Sequence, residues 1–163
     1  MRFPQELTEP LLAALSAVRN GLGLLLPEII LTAAFLLLLL LGLFRNRTLH
    51  KSLPFVAAFT FLLTFLLQVP GVSTEPVTWM DLLRFDGLAR YAAMLFSAAG
   101  FLTVLHSVFY KPFKTETSGQ SEYYALLVFV VLGLNLMAKS VNLLFLFLAI
   151  ETVSIGSYVL TLR

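Results

Sequence analysis

Apolar stretches far too long for a water-soluble core dictate what this chain can become. Residues 22–44 read LGLLLPEIILTAAFLLLLLLGLF, with an unbroken leucine run at 36–41. Bilayer hydrocarbon is about 30 Å thick, so about 20 apolar residues in a helix cross it. Hydrocarbon offers no partner to a backbone N–H or C=O, and a helix satisfies these groups within one segment. Comparable stretches recur at about 53–69, 87–110, 122–138 and 142–162. The expectation is an all-α, polytopic membrane helical bundle of about five transmembrane helices. Spans and connectors consume the whole length, so residues 1–163 are expected to form a single membrane domain.

The connectors set the order and orientation of the spans. Pro27 falls in the opening turns of the first span, where a missing N–H costs least. Pro70-Gly71 stops the second, Asp86-Gly87 opens the third, and Lys111-Pro112 follows it. Residues 70–85 hold Trp79 and read as an interfacial turn or small hairpin. Before the first span, residues 8–20 read as a short interfacial helix. Thr8 is its N-cap, Pro10 lies in its first turn, and Leu11, Leu12, Leu15 and Val18 share one face. Glu6, Glu9 and two prolines do not suit a cleaved signal peptide. Arg45, Arg47 and Lys51 crowd the first connector and Lys111 and Lys114 the third, whereas the second carries Glu75, Asp81 and Asp86 against Arg84. Cation-rich connectors stay inside, which puts the amino terminus outside and Arg163 inside.

Composition removes several function classes. The chain has no cysteine and two histidines, His50 and His106, far apart in sequence. Thiolate metal sites, iron–sulfur ligation and covalent haem attachment are therefore out of reach, and no metal or cofactor is expected in this chain. Gly21 and Gly23 have no strand before them, so they make no dinucleotide signature. The net charge of +2 sits in connectors and points to the lipid bilayer, not to nucleic acid.

Glu151 is the leading candidate for chemistry. It lies well inside the fifth span, NLLFLFLAIETVSIGSYVLTLR, near the expected middle of the hydrocarbon. A charge there costs a few kcal/mol or more, so such residues usually face a bundle interior and need a partner. Burial disfavours the anion and a nearby cation favours it; a carboxyl poised between the two can take up and release a proton. Ser154 and Tyr158 share its face as a polar stripe. The alternative is a neutral carboxylic acid acting as interhelical glue. Glu28, just after Pro27, reads as a helix-start acid with water nearby, a secondary candidate at most. Lys139, also a secondary candidate, reads as an anchor that snorkels to the headgroups. Asn135 and Asn142 are expected to tie the fourth and fifth helices together, and His106 reads as a structural histidine.

Several segments together resemble a known family. LLLPEIILTAAFLLLLLLGLF resembles the first helix of subunit N of the proton-pumping NADH–quinone oxidoreductase, respiratory complex I. FDGLARYAAMLFSAAGFLTVLHS resembles its third helix, and SEYYALLVFVVLGLNLMAKSVNLLFLFLAIETVSIGSYVL its fourth and fifth. The resemblance implies a membrane-arm, antiporter-like subunit in a bacterial cytoplasmic (inner) membrane, with other membrane-arm subunits as partners. Redox groups would sit in those other subunits. It also implies that Glu151 is paired with a lysine on a later, broken helix. The family is about fourteen helices long, so this chain is expected to be the amino-terminal portion of a longer subunit. At the place where family members often carry a third-helix lysine, this sequence has Ala93. The other readings are a subunit of a multisubunit cation/proton antiporter and a non-transporting scaffold. On this reading Glu28→Gln is milder than Glu151→Gln.

Overall fold

The computed structural model describes residues 21–43, 47–69, 76–109 and 119–162. The interfacial helix expected at 8–20, together with Arg45, Glu75, Lys111, Lys114 and Arg163, lies outside the described residues. Five helices appear among those described: α1 (Leu26–Leu43), α2 (Arg47–Gln68), α3 (Gly87–Phe109), α4 (Gln120–Lys139) and α5 (Leu143–Thr161). Between α2 and α3 stand two short strands, β1 (Val77–Trp79) and β2 (Leu83–Phe85). Four helices, α1, α3, α4 and α5, are long and apolar enough to cross a membrane. The chain is an all-α, polytopic membrane bundle.

Helix α2 differs in make-up. It starts at Arg47, so Arg47 and Lys51 lie on the helix and not in a free connector. Its apolar part, Ser52–Gln68, is shorter than the other spans, and the polar first turns bring it to 22 residues, or about 33 Å. Pro54 lies inside the helix. With no N–H of its own, it leaves the carbonyl of His50 without the usual intrahelical donor.

Local polar groups are satisfied within each helix wherever possible. Asp86 caps α3 by accepting from the Ala89 N–H at 2.8 Å. Asn142 caps α5 by accepting from the Leu144 N–H at 2.9 Å, so its side chain serves its own helix and does not tie α4 to α5. Threonine hydroxyls turn back on the preceding turn. Thr32 donates to the Glu28 carbonyl at 2.8 Å, Thr60 to Val56 at 2.8 Å and Thr64 to Thr60 at 3.0 Å. Such bonds hide a hydroxyl from hydrocarbon without help from a neighbouring helix.

Helix α4 is the centre of the bundle. Half of its most apolar window, 50%, is buried, against 11% for α5. Tyr124, Ala125, Leu127, Val128, Val131 and Leu132 of α4 pack with Leu31, Ala34 and Leu38 of α1, Leu53, Ala57 and Phe61 of α2, and Val104 of α3. Lipid tails are as apolar as leucine, so close steric fit holds these helices together, not release from water. The fit between α4 and α5 is close and reciprocal. A Cβ added to Gly133 would stand 2.8 Å from Val153 Cγ2, and one added to Gly156 would stand 2.7 Å from Val130 Cγ2. Each helix presents a glycine to a valine of the other.

The connector expected as an interfacial turn or hairpin is a two-stranded antiparallel hairpin. Val77 pairs with Phe85, Thr78 with Arg84 and Trp79 with Leu83. Met80 and Asp81 both adopt positive φ, 52° and 54°, and the Leu82 N–H closes the turn onto the Trp79 carbonyl at 3.1 Å. The hairpin lies against the α4–α5 connector. Leu83 forms a bridge with Ser140, and the Val141 N–H donates to the Leu82 carbonyl at 3.0 Å. Leu83 and Phe85 are thereby buried.

Overpacking a close helix contact costs about 1–3 kcal/mol. Gly133→Leu and Gly156→Leu are each expected to lower the thermal unfolding midpoint of the detergent-solubilised protein. Gly23→Ala, with nothing within 4 Å of an added Cβ, is expected to leave it near the parent value.

Candidate functional site

Two oppositely charged residues meet inside the hairpin end of the bundle. Helices α1 and α4 run antiparallel, so the first turn of α1 lies beside the last turn of α4. Glu28 stands in that first turn and Lys139 in that last turn. An acid is favoured at a helix N-terminus and a cation at a C-terminus. Each residue therefore suits its own helix dipole as well as its partner. The Lys139 ammonium donates to Glu28 Oε1, and both residues are almost fully buried, at 4% and 5% exposure. Lys139 Nζ also lies 5.3 Å from the centroid of the Phe85 ring, within cation–π range. The hairpin thus covers the ion pair with an aromatic face.

These positions revise the expectations for both residues. Lys139 does not snorkel to the headgroups, and Glu28 is not a cap beside water. Phe85 of the docked hairpin lies over the Lys139 ammonium and narrows its access to water. Sequence reasoning missed the pair because 111 residues separate its members. A usable signal existed: counting spans puts both residues at the same end of adjacent antiparallel helices, with opposite charge.

Further polar groups gather near the pair. Gln68, at the last turn of α2, is buried and directs Nε2 to Ser97 Oγ of α3 at 3.5 Å. Asn135, one turn before Lys139 on α4, is completely buried. Neither its Oδ1 nor its Nδ2 has a hydrogen-bond partner among the described residues, and Glu28 Oε2 and Gln68 Oε1 are likewise unpartnered. A cleft of about 300 Å³ reaches Lys139 from the hairpin end, lined in part by Gln68, Phe85, Asp86 and Arg90. At the opposite end, the Ser107 and Tyr124 hydroxyls lie 3.0 Å apart. Among the described residues, no group of three His, Asp or Glu side chains gathers to hold a metal ion.

Glu151 lies elsewhere, midway along α5 on its exposed side, and makes no ion pair with any described residue. Tyr158 is exposed on the same face and Ser154 is half-buried. The stripe expected to face a bundle interior instead faces away from the other four helices. Around it lie exposed Leu144, Phe147, Leu148, Ile155 and Val159. His106 is also on the exposed side of α3.

The fold and the buried charges define a polytopic helical membrane protein that holds ionisable groups inside and on the flank of its bundle. Comparison with known proteins narrows this. The chain is 31% identical over 148 residues to NADH-quinone oxidoreductase subunit N 2 of Chloroherpeton thalassium, covering 90% of this chain and 29% of that protein. It is 32% identical to subunit N of Rhodospirillum rubrum, over 85% of this chain and 28% of the relative. For subunit N of Chloroflexus aggregans the values are 33%, 86% and 28%. No family model matches the chain. The chain is thus a homologue of NADH-quinone oxidoreductase subunit N and spans under a third of the length of these relatives.

Removing one member of a buried ion pair costs roughly 3–5 kcal/mol, because the other charge stays buried alone; removing both is far milder. Lys139→Met is expected to destabilise the bundle strongly, and adding Glu28→Gln is expected to restore most of the loss. A double-mutant cycle on thermal unfolding in micelles measures the coupling.

Proposed function

We propose that this chain forms the amino-terminal bundle of an antiporter-like, membrane-arm subunit of NADH–quinone oxidoreductase and contributes to redox-coupled proton translocation. The observation that carries the reading is the similarity to subunit N over most of the chain, read together with a carboxyl midway along α5. A carboxyl at that depth, on an apolar face and without an ion-pair partner among the described residues, needs a neighbour that supplies a cation or a hydrogen-bond donor. The long exposed apolar face of α5 suits a second helical bundle packed against it. In this reading Glu151 is the proton-handling group, and its protonation responds to a cation brought opposite by that second bundle. Ser154 and Tyr158, on the same face, supply hydroxyls to the path.

In this reading electron transfer and its redox groups belong to other subunits of the complex. The setting is a bacterial cytoplasmic membrane, with the hairpin end outside and the start of α2, bearing Arg47 and Lys51, inside.

The test is Glu151→Gln in the full subunit within the assembled complex. Protons moved per NADH oxidised are expected to fall measurably, while assembly remains normal. An unchanged stoichiometry would leave a structural scaffold as the role of this bundle.

A further inference from the structure

We propose that Glu28, Lys139, Asn135 and Gln68 enclose a hydrated pocket inside the hairpin end of the bundle, a site for internal water that joins the membrane edge to the helix interior. Four buried polar atoms there have no partner among the described residues: Glu28 Oε2, Asn135 Oδ1, Asn135 Nδ2 and Gln68 Oε1. Buried polar groups are nearly always paired, and ordered water completes the set where protein does not. Asn135 is the most telling member. It is 0% exposed, and it belongs to the most buried helix of the bundle. An apolar residue would fill that place at no such cost, so an amide there calls for a polar neighbour.

The route is short. The cleft at the hairpin end touches Lys139 and Gln68, and Asn135 lies one helical turn, about 6 Å, further along α4. Asp86 and Arg90 join Lys139 and Gln68 in a lining otherwise largely apolar. Phe85 lies over Lys139 and narrows the passage. Water in this position gives the unpartnered Glu28 oxygen a contact with the outside, so that a proton arriving at the membrane edge reaches a carboxylate already paired with an ammonium. The hydration of the pocket does not depend on how a larger assembly uses Glu151, and its test does not require proton pumping.

The chain contains no cysteine, so a single introduced thiol reports its own surroundings. Thiols react as thiolates, which form in water and not in a dry apolar core. In membrane vesicles, Asn135→Cys is expected to react with a small neutral hydrophilic methanethiosulfonate on the order of tenfold or more faster than Val128→Cys, a fully buried core position of the same helix. Phe85→Ala is expected to speed labelling at Asn135→Cys and leave Val128→Cys slow. Equal slowness at both positions, with Phe85 present or removed, overturns the proposal. Should both thiols label fast because the substitutions loosen the bundle, the unsubstituted chain decides. Infrared bands of weakly hydrogen-bonded internal water, identified by their shift in heavy-oxygen water, are expected in the parent and lost in Asn135→Leu. Their absence from the parent overturns the proposal.

Discussion

Hydrocarbon supplies no hydrogen-bond partner, and every polar group carried into it must find one within the protein. Backbone groups do so by forming helices. Threonine hydroxyls turn back on their own helix, as Thr32, Thr60 and Thr64 do. Asp86 and Asn142 cap the helices that follow them. Groups too large or too charged for these local solutions need a second helix. Glu28 and Lys139 provide that for one another, and in doing so they fix the start of α1 against the end of α4.

The polar content of the bundle is therefore unevenly placed. The hairpin end holds the ion pair, Gln68, Asn135 and the cleft, under a cover made by Leu83 and Phe85. The middle is apolar and includes the reciprocal glycine–valine fit of α4 and α5. Lys139 stands immediately before the Ser140–Val141–Asn142 connector, which the hairpin holds through Leu82 and Leu83. The buried charge, the hairpin and the start of the helix carrying Glu151 thus form one mechanical unit. The two carboxyls differ in their supply of partners: Glu28 is paired inside the bundle, and Glu151 faces outward from it.

The architecture was legible in the sequence because length and apolarity suffice to define a span. Asp86-Gly87 marked where α3 begins, and Trp79 pointed to a hairpin. The start of α2 was less legible, because the polar stretch before Ser52 continues a helix without any breaker. The orientation of each helix was not legible at all. When all sides of a helix are apolar, periodicity no longer tells which face turns inward, so Glu151 could not be placed by pattern. The same ambiguity hid the pairing of Glu28 with Lys139. Each read naturally as a helix-end residue near water, and only the packing of α1 on α4 under β2 shows the two buried against one another. Asn135 was expected to hydrogen-bond across to the fifth helix, but neither of its side-chain atoms has a partner among the described residues, which only three-dimensional packing reveals.

The contact between Lys139 and Glu28 underlies this arrangement, and solid-state nuclear magnetic resonance of the protein in lipid bilayers tests it most directly. With nitrogen-15 at the lysine Nζ and carbon-13 at the glutamate Cδ, a strong through-space dipolar coupling between the two is expected, and it should vanish in Lys139→Met. A Lys139 signal without that coupling, and with the rapid water exchange of a headgroup-facing ammonium, would contradict the buried pair and the site built around it.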